Sequence, residues 1–325
     1  MERRFLDLGA ATTTAHWIGK VANFTLGDGA IFRSAPDSVS DRIAVHDGAI
    51  LAACAHPDRE HLLSGGDDGR LVAVGQTGEV RLLLQTRGKW VDHIVASAAS
   101  GVIVASAGKE ATVLVDGQES HRFQHPSTIG GVALDQKGRR LAISHYGGVT
   151  LRYALAADDP GTSLKWAGSH LGVTISPDAA YVITAMQENA LHGWRLPDKT
   201  DLRMDGYPAK TKSLSWDRRG RWLATSGADC AIVWPFVGKL GPQGKPPLEL
   251  SRREALVTAV AFHPAEELLA IGYGDGAAVL ARLTESAVQN LVDPGDGAVI
   301  GLAWRSDGKA LAIGDEAGRG ALLEF

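Results

Sequence analysis

The sequence predicts an all-β fold built from one repeated antiparallel unit and closed into a single domain over residues 1–325. Three observations carry this: a recurring pattern of short apolar strands and polar turns, a period near 40 residues, and 39 glycines punctuating the apolar runs. The clearest copies are residues 50–75, 212–238, 257–283 and 300–325, with weaker ones at 91–117, 129–155 and 171–198. An eighth, 9–34, aligns without a gap to 256–281, so that His16 falls on His263 and Asp28-Gly29 on Asp275-Gly276.

The first polar turns stand at positions 16, 56, 98, 135, 176, 217, 263 and 305, spaced 40, 42, 37, 41, 41, 46 and 42 apart. That period is one four-stranded propeller blade of roughly 40 to 45 residues. Each unit reads as a first apolar strand, a polar turn, a second strand, a Gly/Asp hairpin and a third strand. In residues 268–280 (LLAIGYGDGAAVL) two apolar runs flank Gly272, Gly274, Asp275 and Gly276, types that tolerate the positive φ of a tight hairpin. The strands are nearly continuous runs of Ala, Val, Ile and Leu, as expected for sheets covered on both faces. The longest interval holds residues 239–247 (KLGPQGKPP), whose three prolines cannot donate to a sheet ladder and mark a loop insertion between blades.

Closure sets the blade count. The chain ends on what reads as a third strand, and residues 3–8 (RRFLDL) are available to complete that last blade, joining the two termini. This gives a closed β-propeller of eight four-stranded blades. The alternative is seven, with residues 38–46 closing the ring and the first 37 as an appendage.

Composition excludes several function classes. A net charge of −4 supplies no basic footprint for nucleic acid or an anionic membrane, so neither is expected as a partner. Two cysteines, Cys54 and Cys230, are too few for a disulfide scaffold and sit in no CxxC pair, which fits a reducing cytoplasm. Residues 1–20 lack the continuous apolar core of a signal peptide. The longest stretch free of Asp, Glu, Lys and Arg, 93–108, is shorter than the roughly 20 apolar residues of a membrane span.

With the repeat established, the residues resemble the WD-repeat β-propeller family over essentially the whole chain. The polar turn after the innermost strand is clear in His56-Pro57-Asp58, Ser176-Pro177-Asp178, His263-Pro264 and Ser306-Asp307-Gly308, and the hairpin Asp in Asp28, Asp68, Asp229 and Asp275. His46 and His125 stand ten residues before their turns, in register with the family's His, although Val45 and Gln124 replace its Gly. Trp194 and Trp234 occupy the Trp position, followed by Arg195 and Pro235 where the family has Asp. No blade keeps the full set, which implies an eroded side-chain network and blades held mainly by packing against neighbours.

Nothing in the sequence reads as catalytic, and no cofactor or metal is expected. His16, His56 and His263 share the polar-turn position, so the repeat accounts for them without a metal. Residues 272–277 (GYGDGA) join two strands rather than a strand and a helix, so they are a hairpin and not a phosphate loop. There is no GxSxG elbow, and Asp158-Asp159 opens a solvated turn before Pro160-Gly161. Cys54 and Cys230 read as buried structural thiols.

The resemblance implies a non-catalytic scaffold that binds a protein or peptide on the face formed by the loops entering the innermost strands and by the second hairpins. Residues mapped there are Lys89, Trp90, Asp92, Tyr146, His170, Tyr207, Lys210, Lys212 and Tyr273, interleaved aromatics and charges of the kind that make a hot-spot interface. Trp166 and Trp222 read as packing residues. The competing class is an enzyme or a small-molecule or ion binder using the central channel. The inner strands carry mostly Val, Ala, Ile, Leu and Ser, which disfavours it.

Overall fold

A computed structural model describes residues 1–35, 40–238, 240–285 and 287–325, and every regular element among them is a β-strand. Thirty strands form seven hydrogen-bonded sheets, six of four strands and one of six. The second sheet shows the plan: Ile50–Ala55, His61–Gly66, Arg70–Gly75 and Val80–Gln85 pair antiparallel in chain order, from the axis outward. The two middle strands are buried after their first residue while the outermost is mostly exposed, because neighbouring sheets cover the former on both faces and solvent meets the latter.

The expectation of eight separate four-stranded blades is corrected here to seven sheets. Eight repeat units are present, but units four and five share one six-stranded sheet. Arg140–Tyr153 pairs through Leu141–His145 with Ile129–Leu134, and through Gly148–Leu151 with Thr162–Lys165. The 14-residue strand Thr162–Ile175 then pairs through Gly172–Ile175 with Tyr181–Met186. Tyr146 opposite Ser169 is the pair that bridges the two units. Glycine permits this continuity. Gly148 has φ 140°, and a Cβ there would lie 2.0 Å from Leu164 O, so the turn tightens until strand pairing runs through it.

The chain ends meet in one sheet. Glu2–Asp7 pairs antiparallel with Arg319–Glu324, from Glu2 opposite Glu324 to Asp7 opposite Arg319, and Leu8 N–H donates to Gly318 O at 2.8 Å. Thr12–Ile18, Val21–Leu26, Ala30–Ser34 and Asp41–Ala44 form the next sheet, so the amino-terminal residues are part of the ring rather than an appendage. Ser38 lies outside the described residues. The Pro-rich insertion also falls elsewhere than expected. Its described part, 240–247, joins Ala231–Pro235 to Leu248–Leu250 within one sheet, not between blades. It folds back on the preceding sheet, where Gln243 Nε2 donates to Asp201 O at 3.1 Å. Lys239 is outside the described residues.

Packing between sheets makes the core. Ile31, Val45, Ile50, Leu62, Val72 and Val74 form one such layer, and Leu8, Phe24, Leu26 and Leu322 another across the closure. Indole N–H groups add directional ties to the preceding sheet: Trp17 to Ala303 O at 2.9 Å, Trp304 to Ala261 O at 3.1 Å and Trp216 to Thr174 Oγ1 at 3.1 Å.

Candidate protein-binding face

The turns between second and third strands and the loops leading to the next inner strand share one end of the sheets, because the start of each inner strand pairs with the end of the second. Ile50 lies opposite Gly66, and Val91 N–H donates to Gly66 O at 3.0 Å while Thr86 N–H donates to Gly69 O at 2.8 Å. The loop carrying Lys89 and Trp90 is therefore pinned to the hairpin of its own sheet. The hairpin carrying Tyr146 is tied likewise, its N–H donating to Ser127 Oγ at 3.3 Å.

Of the nine residues mapped to this face, five are exposed: Lys89, Trp90, Tyr146, Lys210 and Lys212. Trp90 and Tyr146 stand out, 62% and 69% exposed, as aromatic rings without a core role. Lys109 from the intervening hairpin donates to Pro126 O at 3.0 Å, which adds a fourth lysine on the rim between the two rings. Asp92 is half-buried and accepts from Ser106 Oγ at 2.8 Å. His170, Tyr207 and Tyr273 are buried and offer no surface to a partner.

What those three do is structural. Tyr207 Oη lies 2.7 Å from Thr225 Oγ1 and accepts from Trp234 Nε1 at 2.7 Å, while Thr225 Oγ1 donates to Ile232 O. His170 Nδ1 lies 2.7 Å from Thr184 Oγ1 beside the buried Trp194. Tyr273 Oη donates to Ser251 O at 2.5 Å beneath the Arg253 guanidinium. The eroded network expected from the sequence is thus partly intact. His46 keeps it in the family's form, Nε2 at 2.9 Å from Ser64 Oγ and Nδ1 at 2.9 Å from Asp68 Oδ1. Asp68 is held well below the usual carboxylate range. Burial alone would raise it, and the N–H groups of Arg70 and Asp47 together with His46 and the Arg70 guanidinium outweigh that.

Histidines gather beneath the face. His125 and His192 are both lowered to about 4, burial being the main cause, and His192 stacks on Trp166 with ring centroids 3.9 Å apart. Both are neutral at pH 7. Burial also raises the thiols, Cys54 to about 12 and Cys230 to about 11, which makes both poor nucleophiles.

Sequence reasoning missed two clusters at the opposite end of the sheets. Asp217, Arg218, Arg219, Arg221, Ala265, Glu266 and Glu267 line a cleft of about 480 Å³ between two neighbouring sheets, where Arg221 pairs with Glu267. His56, Asp58 and His61 converge in the first turn of the second sheet. The spacing HxDxxH was legible, but His56 had been absorbed by the repeat.

Comparisons with known proteins agree with the geometry. The family described as "WD domain, G-beta repeat" matches residues 39–72, and "Anaphase-promoting complex subunit 4 WD40 domain" matches residues 260–325. No curated protein sequence matches the chain. Among solved structures, the computationally designed Ika8 protein superposes with a TM-score of 0.78 at 15% identity, covering 97% of this chain and 96% of that one. A chain of the Mitotic Checkpoint Complex gives 0.67 at 14% identity, covering 99% of this chain and 94% of that one. The RRP9 WD40 repeats give 0.65 at 14% identity, covering 86% and 95%. These likenesses concern the fold. They show a β-propeller, and the family matches over residues 39–72 and 260–325 together with the His46–Ser64–Asp68 network support WD-type repeats within it.

Proposed function

We propose that this protein is a non-catalytic scaffold that binds a protein or peptide on the face bearing Trp90 and Tyr146. The observation that carries the reading is the exposure of both rings on loops whose backbones are hydrogen-bonded to rigid sheets. Aromatic anchors held on a stiff frame bury large area at small entropic cost when a partner docks. Lys89, Lys109, Lys210 and Lys212 share this end of the ring, which favours a partner segment carrying Asp or Glu. The solved Mitotic Checkpoint Complex contains a propeller of this fold inside a protein assembly, which lends the reading support by analogy. Unpaired Cys54 and Cys230 favour a reducing compartment such as the cytoplasm.

Affinity capture from the native cell extract tests this, with wild-type protein beside a Trp90→Ala/Tyr146→Ala variant of unchanged melting temperature. A stoichiometric partner held by the wild type and lost by the variant is the expected result. A partner retained equally by both, or a co-purifying small molecule in place of any protein, overturns the reading.

A further inference from the structure

We infer that the turn between the first two strands of the second sheet is a divalent-cation site, with His56, Asp58 and His61 supplying two imidazole nitrogens and one carboxylate oxygen to a borderline metal such as Zn²⁺. Asp58 Oδ2 lies 2.9 Å from His56 Nδ1 and 2.8 Å from His61 Nδ1. The three donor atoms all lie within 4.8 Å of one another.

The carboxylate is held in place. Its Oδ1 accepts from the N–H of Glu60 at 2.8 Å and of His61 at 3.2 Å, which leaves Oδ2 turned toward both rings. Arg59, at φ 63°, folds the chain so that His61 returns over Asp58. Asp58 N–H also reaches His56 Nδ1 at 3.3 Å, a weak contact that a cation would displace, and His56 Nε2 has no partner among the described residues. Metal–ligand bonds of about 2.0–2.2 Å in tetrahedral geometry set donors roughly 3.4 Å apart, so the carboxylate oxygen needs to draw away from each ring by only about half an ångström. The side chains are 12%, 36% and 25% exposed in chain order, which leaves them room to do so and leaves a coordination position open to water.

A carboxylate also stands behind one ligand. His61 Nε2 is 3.6 Å from Glu79 Oε1, near enough that a small side-chain shift would let the carboxylate accept from the second nitrogen of a metal-bound imidazole. Two imidazoles with one carboxylate suit Zn²⁺, Ni²⁺ or Co²⁺ better than Ca²⁺ or Mg²⁺, which favour all-oxygen shells.

The repeat does not account for the cluster. Asp178 caps its own turn as Asp58 does, accepting from Ala180 N–H, and His263 uses Nδ1 to accept from Ala265 and Glu266 N–H. Where the second sheet has His61, the sister turns carry Val102, Arg140, Tyr181, Trp222, Leu268 and Ala310. The second imidazole belongs to this turn alone among them.

The test uses the full chain without a histidine tag, stripped with chelator and titrated with ZnCl₂ at pH 7.5 by calorimetry, with Co²⁺ absorption as a report on coordination. One equivalent is expected. His61→Ala and Asp58→Asn each lower affinity at least tenfold, Glu79→Gln lowers it less, and the control His121→Ala, in a different sheet, leaves it unchanged. Asn at position 58 can still cap the turn, so loss of binding there without loss of melting temperature separates ligation from folding. Zn²⁺ raises the melting temperature of the wild type and not of His61→Ala. Absence of Zn²⁺ binding, or equal binding by wild type, His61→Ala and Asp58→Asn, overturns the inference.

Discussion

Tyr207 Oη accepts a hydrogen bond from the indole N–H of Trp234 at 2.7 Å, the tyrosine buried and the tryptophan half-buried against it. Tyr207 stands ten residues before Asp217, the spacing at which His46 precedes His56. A phenol therefore stands where the second sheet has an imidazole, and it bonds Thr225 and Trp234 where His46 bonds Ser64 and Asp68. Tyr207→Phe removes the acceptor of the half-buried indole N–H and costs about 0.5–1.5 kcal/mol. Chemical denaturation followed by tryptophan fluorescence reads this directly, and an unchanged midpoint would show that the indole finds another acceptor.

Ring closure rests on the amino terminus. Leu8 is buried against Phe24, Leu26 and Leu322, and Glu2–Asp7 covers the edge of Arg319–Glu324. Leu8→Ala is expected to cost about 2–4 kcal/mol through lost burial and the cavity left behind. Deleting residues 1–8 additionally exposes a strand edge and should produce concentration-dependent oligomers by size-exclusion chromatography. A monomeric truncation with wild-type stability would contradict the closure.

Trp17 reports on the same seam by a different bond. Its indole N–H donates to Ala303 O at 2.9 Å, across the junction between the last sheet and the first. Trp17→Phe keeps most of the packing and loses the bond, with an expected cost of about 0.5–1.5 kcal/mol. The double variant Trp17→Phe/Leu8→Ala should deviate from additivity, since both act on one interface. Strict additivity would argue that the two sites are independent.

Acid should loosen the histidine-rich layers before it protonates most carboxylates. His16, His125 and His192 have folded values near 4, against 6.5 for the free side chain, with burial as the main cause in each. Between those values the unfolded chain binds more protons than the folded one, so stability is fully present above about pH 6.5 and falls as pH drops toward 4. The limiting slope is about 1.4 kcal/mol per pH unit for each ring, and less for any ring that solvent reaches. Urea midpoints at pH 7.5, 6 and 5 should decline in that order. A flat profile across this range would show that the rings protonate in place.

Trp90 makes the opposite prediction. At 62% exposure its replacement by Ala should change stability by no more than about 0.5 kcal/mol. A large loss would mean that the ring packs within the protein and is not free to anchor a partner.

The repeat, its strands and its turns were legible because each depends on neighbours in sequence. Apolar runs bounded by Gly and Asp specify hairpins locally, and the spacing of His56, Ser176 and His263 sets the units in register. Exposure was not legible in this way. Tyr146 and Tyr273 stand where pairing with the inner strand ends, yet Tyr146 precedes Gly147-Gly148 and stands 69% exposed, whereas Tyr273 is covered by the Arg253 guanidinium and fully buried. Sheet continuity likewise depended on Gly148 approaching Leu164, a contact between backbones that no periodicity encodes. His61 meets His56 only because the turn reverses at Arg59. The sequence by itself determined an all-β ring of repeated hairpins, since hydrogen bonding and burial along a strand are local and periodic. Only the tertiary structure decided which rings face solvent and which side chains converge, because both depend on what neighbouring sheets leave uncovered.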